Sequence, residues 1–267
     1  MLTVTHNAGL FSCNSMRLFA IINYFNDNKK LPSSINSSQQ YAFYKNNPSE
    51  DITSHYFKTD TKEEIEFTDS ICCTKDMREG LSMLQFSNYK EIYFDQITPF
   101  IRKYFTPSDK IIKICNELIE KYNIDLENTC VLYYRGTDKS SETNVGNFDE
   151  FAEKLEEVKK ANPSLKVLIQ TDEIGYRNQI LLKYPDSIYI SETDTPNKYI
   201  HSLYFLSAII LCARAKYIVC SSSNVSSWMM FYRGNANNVY QYLNQLEIIR
   251  GKYKNSRYDI SITNFWV

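Results

Sequence analysis

The chain reads as an α/β protein built on a parallel sheet. Three observations predict this. From residue 129 onward, short strand-like runs alternate with longer stretches of helical periodicity. The runs Val131-Leu-Tyr-Tyr, Val167-Leu-Ile and Tyr217-Ile-Val-Cys are apolar almost throughout, as strands covered on both faces are. No internal repeat or low-complexity linker interrupts the pattern. Such a sheet places ligands at the carboxyl ends of its strands.

The elements follow in order. Residues 2–5 are β-prone, and a loop His6–Asn14 leads into a helical pattern from Ser15 to Phe25, with Met16, Leu18, Phe19, Ile22 and Phe25 at helix spacing. Leu31–Gln40, rich in Ser and Asn with Pro32, reads as a loop. Tyr41–Asp69 is weakly periodic and assigns no element. Asp95–Tyr104 reads as the end of a helix. Ser108 is a candidate N-cap for a helix over Asp109–Tyr122, whose apolar stripe is Ile111, Ile114, Cys115, Leu118, Ile119 and Tyr122. Then come a strand at Thr129–Tyr134 and a helix opened by Asn147 or Phe148 and closed before Pro163. A strand at Lys166–Gln170, a helix at Glu173–Tyr184 and a strand at Ser187–Ile190 follow. The pattern ends with a helix at Tyr199–Ala213, a strand at Tyr217–Cys220, a helix at Ser226–Arg233 and a strand at Val239–Tyr242.

Composition excludes several classes. The net charge of −1 gives no global field for nucleic acid or an acidic membrane, and no basic patch is interleaved with aromatics. The seven cysteines include no C-x-x-C pair, and Cys130 and Cys220 sit inside apolar runs, so reduced buried thiols are expected rather than disulfides or a zinc site. The abundance of Tyr (21 residues) reads as compositional bias. The start lacks a signal-peptide pattern, and the apolar stretch Leu203–Cys212 is too short to span a bilayer. A complete chain of this kind is expected to be soluble and cytoplasmic, or bound to a membrane only peripherally.

Three strand ends carry polar clusters. After the first comes Arg135-Gly-Thr-Asp-Lys139. An Arg directly after a buried strand offers a planar fork to phosphate oxygens, although the same residues also suit a solvated turn. After the second comes Thr171-Asp-Glu173, which alone reads as a helix start with favourable acidic residues. After the third comes Ser221-Ser-Ser-Asn-Val-Ser-Ser227, running into a helix. Hydroxyls and N–H groups at a helix start cradle phosphate, and ordinary Ser capping is the other reading. Together the clusters describe one anionic-ligand pocket. Neither G-x-x-x-x-G-K-[ST] nor G-x-G-x-x-G occurs, so Arg and Ser would have to bind the phosphates.

The order R-x-T-D-K, then T-D-E after a strand, then Y-I-V-C-S-S-S-N-V-S resembles the GDP-fucose-dependent fucosyltransferases. The likeness is nearest to the α-1,6- and nodulation fucosyltransferase group, with the α-1,2 enzymes more distant. The family's H-V-R-R-T-D-K corresponds to Tyr133–Lys139, its T-D-D to Thr171–Glu173, and its V-C-T-F-S-S-Q-V to Val219–Val225. The loop from Asn7 to Asn14 is similar to the family's G-G-x-G-N-x loop. The resemblance covers residues 107–235 well and the amino-terminal half only through that loop. It departs in three places: the family's guanine-reading His is Tyr133, its second motif Arg is Gly136, and its guanine-reading Asp falls at Ala208.

The resemblance implies a GT-B-like arrangement, two Rossmann-like domains with parallel sheets facing a cleft. The divisions expected are an acceptor-side domain over 1–106, a nucleotide-sugar domain over 107–245, and a tail over 246–267 packing back on the first domain. It implies an inverting glycosyltransferase with no metal and no cofactor, moving L-fucose from GDP-fucose to a glycan hydroxyl. Arg135, Asp138 and Glu142 would be catalytic, either carboxylate serving as base. Tyr133, Arg135, Lys139, Thr171, Asp172, Glu173, Ser221, Ser222, Ser223 and Asn224 would bind the donor. Asn7, Gly9 and Asn14 would shape the acceptor side. The departures leave open another UDP- or GDP-linked sugar, or a relic that binds without turnover. The oligomeric state has no signature in the sequence.

Overall fold

The amino-terminal half opens on strand β1 (Leu2–His6), helix α1 (Leu10–Asn28) and strand β2 (Ile35–Gln40), the strands pairing in parallel. The computed structural model describes residues 1–59, 61, 63–67, 69–74, 81–137, 146–243 and 266–267. β2 corrects the expectation of a loop over Leu31–Gln40. Its sequence Ile-Asn-Ser-Ser-Gln-Gln shows no apolar alternation because polar bonds rather than apolar contacts hold it. The Ser37 N–H donates to Asp51 Oδ2 (2.7 Å), and the Gln40 amide donates to the Cys13 carbonyl (3.1 Å). The stretch that assigned no element forms a 3-10 turn at Ala42–Tyr44 and a single helical turn, α2 (Thr53–Tyr56). Further 3-10 turns at Leu81–Phe86 and Tyr89–Glu91 lead to α3 (Phe94–Tyr104) and α4 (Asp109–Tyr122). The Ser108 hydroxyl accepts from the Ile111 N–H at the start of α4, as capping chemistry predicts.

From β3 (Thr129–Tyr134) onward strands and helices alternate strictly: α5 (Phe148–Ala161), β4 (Lys166–Thr171), α6 (Ile174–Lys183), β5 (Ile188–Tyr189), α7 (Lys198–Arg214), β6 (Tyr217–Ser221), α8 (Asn224–Arg233) and β7 (Val239–Tyr242). The sheet order is β5-β4-β3-β6-β7, with every pairing parallel. The chain therefore winds outward from β3 to β5, then crosses back to lay β6 on the other side of β3. That reversal creates a crevice between the carboxyl ends of β3 and β6, the usual ligand position in an open α/β sheet. Asn147 opens α5 with a reciprocal capping box to Glu150. α8 begins at Asn224, two residues before the expected Ser226, because Ser223 supplies the cap.

Side chains along a strand alternate between faces, and here they sort into two cores. Cys130, Leu132 and Tyr134 face Phe151, Leu155, Tyr176 and Ile180 of α5 and α6. Val131 and Tyr133 face the larger core, which is continuous with α1, α3, α4, α7 and α8. α7 is apolar on nearly all sides because it is buried on nearly all sides. Two parallel α/β units, one of two strands and one of five, thus face each other across a cleft, the GT-B-like architecture expected. The chain end lies against the larger unit: Trp266 packs on Phe151 and Tyr242, and Val267 exchanges backbone bonds with Gln241 of β7. The remainder of the expected tail, residues 246–265, lies outside the described residues. None of the seven cysteines forms a disulfide among the described residues, and six of them are buried. No helix among the described residues is long and apolar enough to cross a membrane.

Tyr89 joins the two halves. It is 1% exposed, and its hydroxyl lies 2.7 Å from Ser226 Oγ. The same oxygen accepts from the Ser223 N–H (3.2 Å) at the start of α8. Its own N–H donates to Gln241 Oε1 (2.9 Å) on β7. Tyr89→Phe strands the Ser223 N–H in the interior, so unfolding should become easier by roughly 1–3 kcal/mol, read as a lower urea midpoint at unchanged slope.

Candidate functional site

A cleft of about 530 Å³ opens between the two halves at the crevice beside β3 and β6. Arg135, Asp172, Ser223 and Asn224 line its floor, from the ends of β3, β4 and β6. The loop Ala8–Ser12 and Tyr44 face them from the amino-terminal half. Phe205 and His201 of α7, with Tyr189, Thr193 and Asp194, form the remaining wall.

Arg135 is positioned by its neighbours. Its backbone N–H donates to Ser221 Oγ (3.0 Å), and its Nε lies 3.1 Å from Asp172 Oδ2. Asp172 also accepts from the Gly136 N–H (2.9 Å) and the Thr137 hydroxyl (2.6 Å), so it clamps the whole turn after β3. The Arg135 side chain keeps 28% of its surface open on the cleft side. Tyr133 is buried beneath it. Burial pushes its phenol well above the ordinary range, against the opposing influence of the Arg135 charge and a bond to Ser223. Gly136 is required here by close approach: a Cβ would lie 2.6 Å from Glu173 Cγ and 2.7 Å from the Tyr134 ring. The Arg that the resembled family has at this position therefore has no room in this chain.

Two helix starts aim at the same space. α8 begins at Asn224, and the N–H groups of Asn224 and Val225 have no partner among the described residues, the state in which helix N-termini bind anions. α1 begins at Leu10, and its N-cap residue Gly9 provides no side-chain cap. A Cβ there would meet nothing within 4 Å, so the helix start is open to an approaching group. The Leu10 N–H is held by the Tyr44 hydroxyl (2.9 Å). Ser15 links the two helices, accepting from Trp228 Nε1 (3.0 Å) and lying 3.0 Å from Asn224 Oδ1.

The wall formed by α7 and the segment before it is polar at Asp194 and aromatic at His201 and Phe205. Asp194 accepts from Arg177 Nη1 (2.8 Å) and from the Tyr189 hydroxyl (2.6 Å). The His201 Nδ1–H donates to the Thr193 carbonyl (2.6 Å), which leaves Nε2 as the lone-pair nitrogen. Burial lowers the His201 pKa, so the ring is neutral near pH 7. His201 stacks on Phe205 (5.4 Å, 25°), and Phe205 meets Phe11 edge-on (5.4 Å).

The structure brings Tyr133, Arg135, Thr171, Asp172, Ser223, Asn224 and Gly9 to this one cleft. It uses the other expected residues elsewhere. Ser221 serves the Arg135 N–H, and Ser222 donates to the Tyr242 carbonyl (2.8 Å) while accepting from Gln241 (2.8 Å). The Ser-rich segment is thus mostly internal wiring of α8 rather than a hydroxyl cradle. Glu173 stands behind Gly136 and is not a lining residue. Asn7 accepts from the Ala42 N–H (3.0 Å) at the surface, and Asn14 is a core residue bonded to the Tyr41 hydroxyl (2.8 Å). Asp138, Lys139 and Glu142 lie outside the described residues. Ala208 is fully buried.

Sequence reasoning missed Gln170. It is 3% exposed on β4, lines the cleft, and its Nε2 has no hydrogen-bond partner among the described residues. A polar residue at a buried strand position was the available signal. His201, Phe205 and Tyr189 carried none, because their convergence depends on the winding of the sheet. Among the described residues no three His, Cys, Asp or Glu side chains group as metal ligands.

No family model and no curated protein matches the chain. Solved structures do. Fucosyltransferase NodZ from Bradyrhizobium aligns over 90% of this chain and 96% of that one, with a TM-score of 0.56 at 11% identity. NodZ α-1,6-fucosyltransferase co-crystallised with GDP aligns at a TM-score of 0.43 and 14% identity, covering 55% of this chain. Arabidopsis thaliana FUT1 in complex with GDP aligns at 0.39 and 15%, covering 56%. In those last two alignments the chain spans 48% and 38% of its counterpart. With its parallel sheets and the cleft between them, the chain has the fold of the fucosyltransferase NodZ.

Proposed function

We propose that the chain is a glycosyltransferase that draws a sugar from a nucleoside diphosphate donor and transfers it, with inversion and without a metal, to a glycan hydroxyl. One observation carries this reading. The Arg135 guanidinium and the start of α8 line a single cleft at the point where the sheet reverses its winding. That is where a diphosphate belongs in such a sheet, and both groups favour negative charge. As the sugar–oxygen bond breaks, charge grows on the leaving diphosphate. Preorganised donors there stabilise the transition state more than the ground state. Asp172 fixes the guanidinium so that little reorganisation is needed. The open start of α1 and the Ala8–Ser12 loop face this point from the side where an acceptor would enter. A carboxylate from the sequence that follows β3, Asp138 or Glu142, takes the acceptor proton as general base.

The sugar donor proposed first is GDP-fucose, on the fold and the matched strand-end residues. A different base or sugar is the second reading, and a specific observation favours it. Tyr133 is buried under Arg135, Gly136 admits no side chain, and Ala208 is sealed in the core. The two positions that would read guanine in the resembled family, Tyr133 and Ala208, therefore present no polar group of the same kind, and the second motif Arg is absent at Gly136. Gln170 and the lone pair of His201 Nε2 are this chain's own candidates for contacts to the bound donor.

Arg135→Ala should lower kcat about 10²–10³-fold while leaving the thermal midpoint near the parent value, because Asp172 keeps its bonds from Gly136 and Thr137. An unchanged rate would remove Arg135 from the mechanism. In a thermal-shift comparison of GDP with UDP, stabilisation by GDP alone supports fucose chemistry, and stabilisation by UDP alone excludes it. Gln170→Leu should move two quantities in opposite directions. The empty protein should be as stable or up to about 1 kcal/mol more stable, because an orphaned buried donor is removed, while nucleotide affinity should drop roughly tenfold. Calorimetric titration beside chemical unfolding reads both.

A further inference from the structure

A second cavity lies in the amino-terminal half, at the start of β2 and so at the end of the small sheet away from the Ala8–Ser12 loop. It encloses about 370 Å³ and shares no lining residue with the cleft described above. Its size falls within the ~300–1,000 Å³ of ligand-holding pockets. Arg17 of α1 lines it while only 8% exposed. Its Nε donates to Ser37 Oγ (3.2 Å) and its Nη1 to the Tyr104 carbonyl (3.1 Å), both neutral acceptors. The guanidinium carbon sits 5.4 Å from the centre of the Phe105 ring. Its Nη2 has no acceptor, and no carboxylate pairs with it, among the described residues. The Asp51 charge reaches it without a hydrogen bond or ion pair, and a buried guanidinium with no carboxylate in direct contact is costly to keep.

The charges around the cavity do not remedy this. Among the described lining residues the cations are Arg17, Lys58 and Lys103, and the single carboxylate is Asp51. Asp51 is already committed. Its Oδ2 accepts from the Ser37 N–H (2.7 Å), and its Oδ1 accepts from the Thr53 N–H (3.1 Å) and hydroxyl (2.6 Å). Lys58 pairs outward with Asp109 (2.8 Å), and Lys103 donates to the Glu63 carbonyl (2.6 Å). The open wall is rich in hydroxyls, with Ser33, Ser34, Ser54 and Thr59 exposed along it. An oxyanion at the guanidinium fork would supply the missing acceptor and a directly bonded anion in one step. The surrounding hydroxyls suit a polyol.

We propose that this cavity is a second ligand site, taking an acidic monosaccharide unit whose carboxylate or phosphate docks on Arg17 and Lys103. It is separate from the donor cleft and does not depend on the reaction assigned to that cleft. Calorimetric titration of the full chain with glucuronate, glucose 6-phosphate and glucose tests it. Saturable binding of at least one acid, with none of glucose, is the expected result, and which acid binds assigns the anion. Lys103→Gln and Ser54→Tyr, which alter the rim and leave the core intact, should weaken binding about tenfold through a lost charged contact and a filled cavity. Arg17→Gln should abolish it, and Arg135→Ala should leave it unchanged. Three outcomes overturn the proposal: no acid binds, glucose binds equally well, or Arg135→Ala abolishes binding. Should Arg17→Gln fail to fold, undiminished binding in both rim variants overturns it equally.

Discussion

The hydroxyl of Tyr89 is the contact on which the cleft depends. It reaches from the amino-terminal half into the start of α8, accepts from the Ser223 N–H and meets Ser226. Burial holds the phenol far above its ordinary pKa, so it stays a neutral hydroxyl able both to donate and to accept. Ser223, Ser226 and Ser227 close the same network around it. This fixes where α8 begins, and with it which two N–H groups at its start have no partner among the described residues. The Ser15 link to Asn224 and Trp228 brings α1 to the same point. Two helix starts from different halves are thereby held at one location, and their partial positive charges add there.

Around that joint, the winding of the sheet does the rest. β3 and β6 are neighbours, yet the chain leaves them toward opposite sides, so their carboxyl ends stand clear of crossing connections. Arg135 emerges from β3 into this gap and is held by the Asp172 carboxylate from β4. The pair is only partly exposed, and the turn around it is satisfied by Gly136 and Thr137. A guanidinium fixed in this way meets an incoming anion without first having to be ordered. The aromatic wall of Phe11, Phe205 and His201 adds an apolar surface next to the charged floor, the usual composition of a small-molecule site.

Much of the larger unit was legible in the sequence, because its signals are local. Thr129–Tyr134 and Val239–Tyr242 are read off directly as strands, and Ser108 and Asn147 announce helix starts by short-range capping. Arg135, Asp172 and Ser223 were visible as polar residues placed just past apolar strands. β2 was not visible, because six residues without apolar alternation become a strand only through pairing with β1. The internal bonds of Ser221 and Ser222 were not legible for a related reason. A hydroxyl near a helix start looks the same in sequence whether it faces a ligand or, as here, Gln241 and the Tyr242 carbonyl from a neighbouring strand. Tyr89 supports the site through contacts with the start of α8, 134 and 137 residues away in the chain, and no spacing rule reaches that far.

A co-crystal structure with a nucleoside diphosphate tests the central claim most directly. The diphosphate oxygens should lie within hydrogen-bond distance of both the Arg135 guanidinium and the backbone N–H groups at the start of α8. A nucleotide seated elsewhere, or one whose phosphates touch neither the guanidinium nor the start of α8, would contradict it.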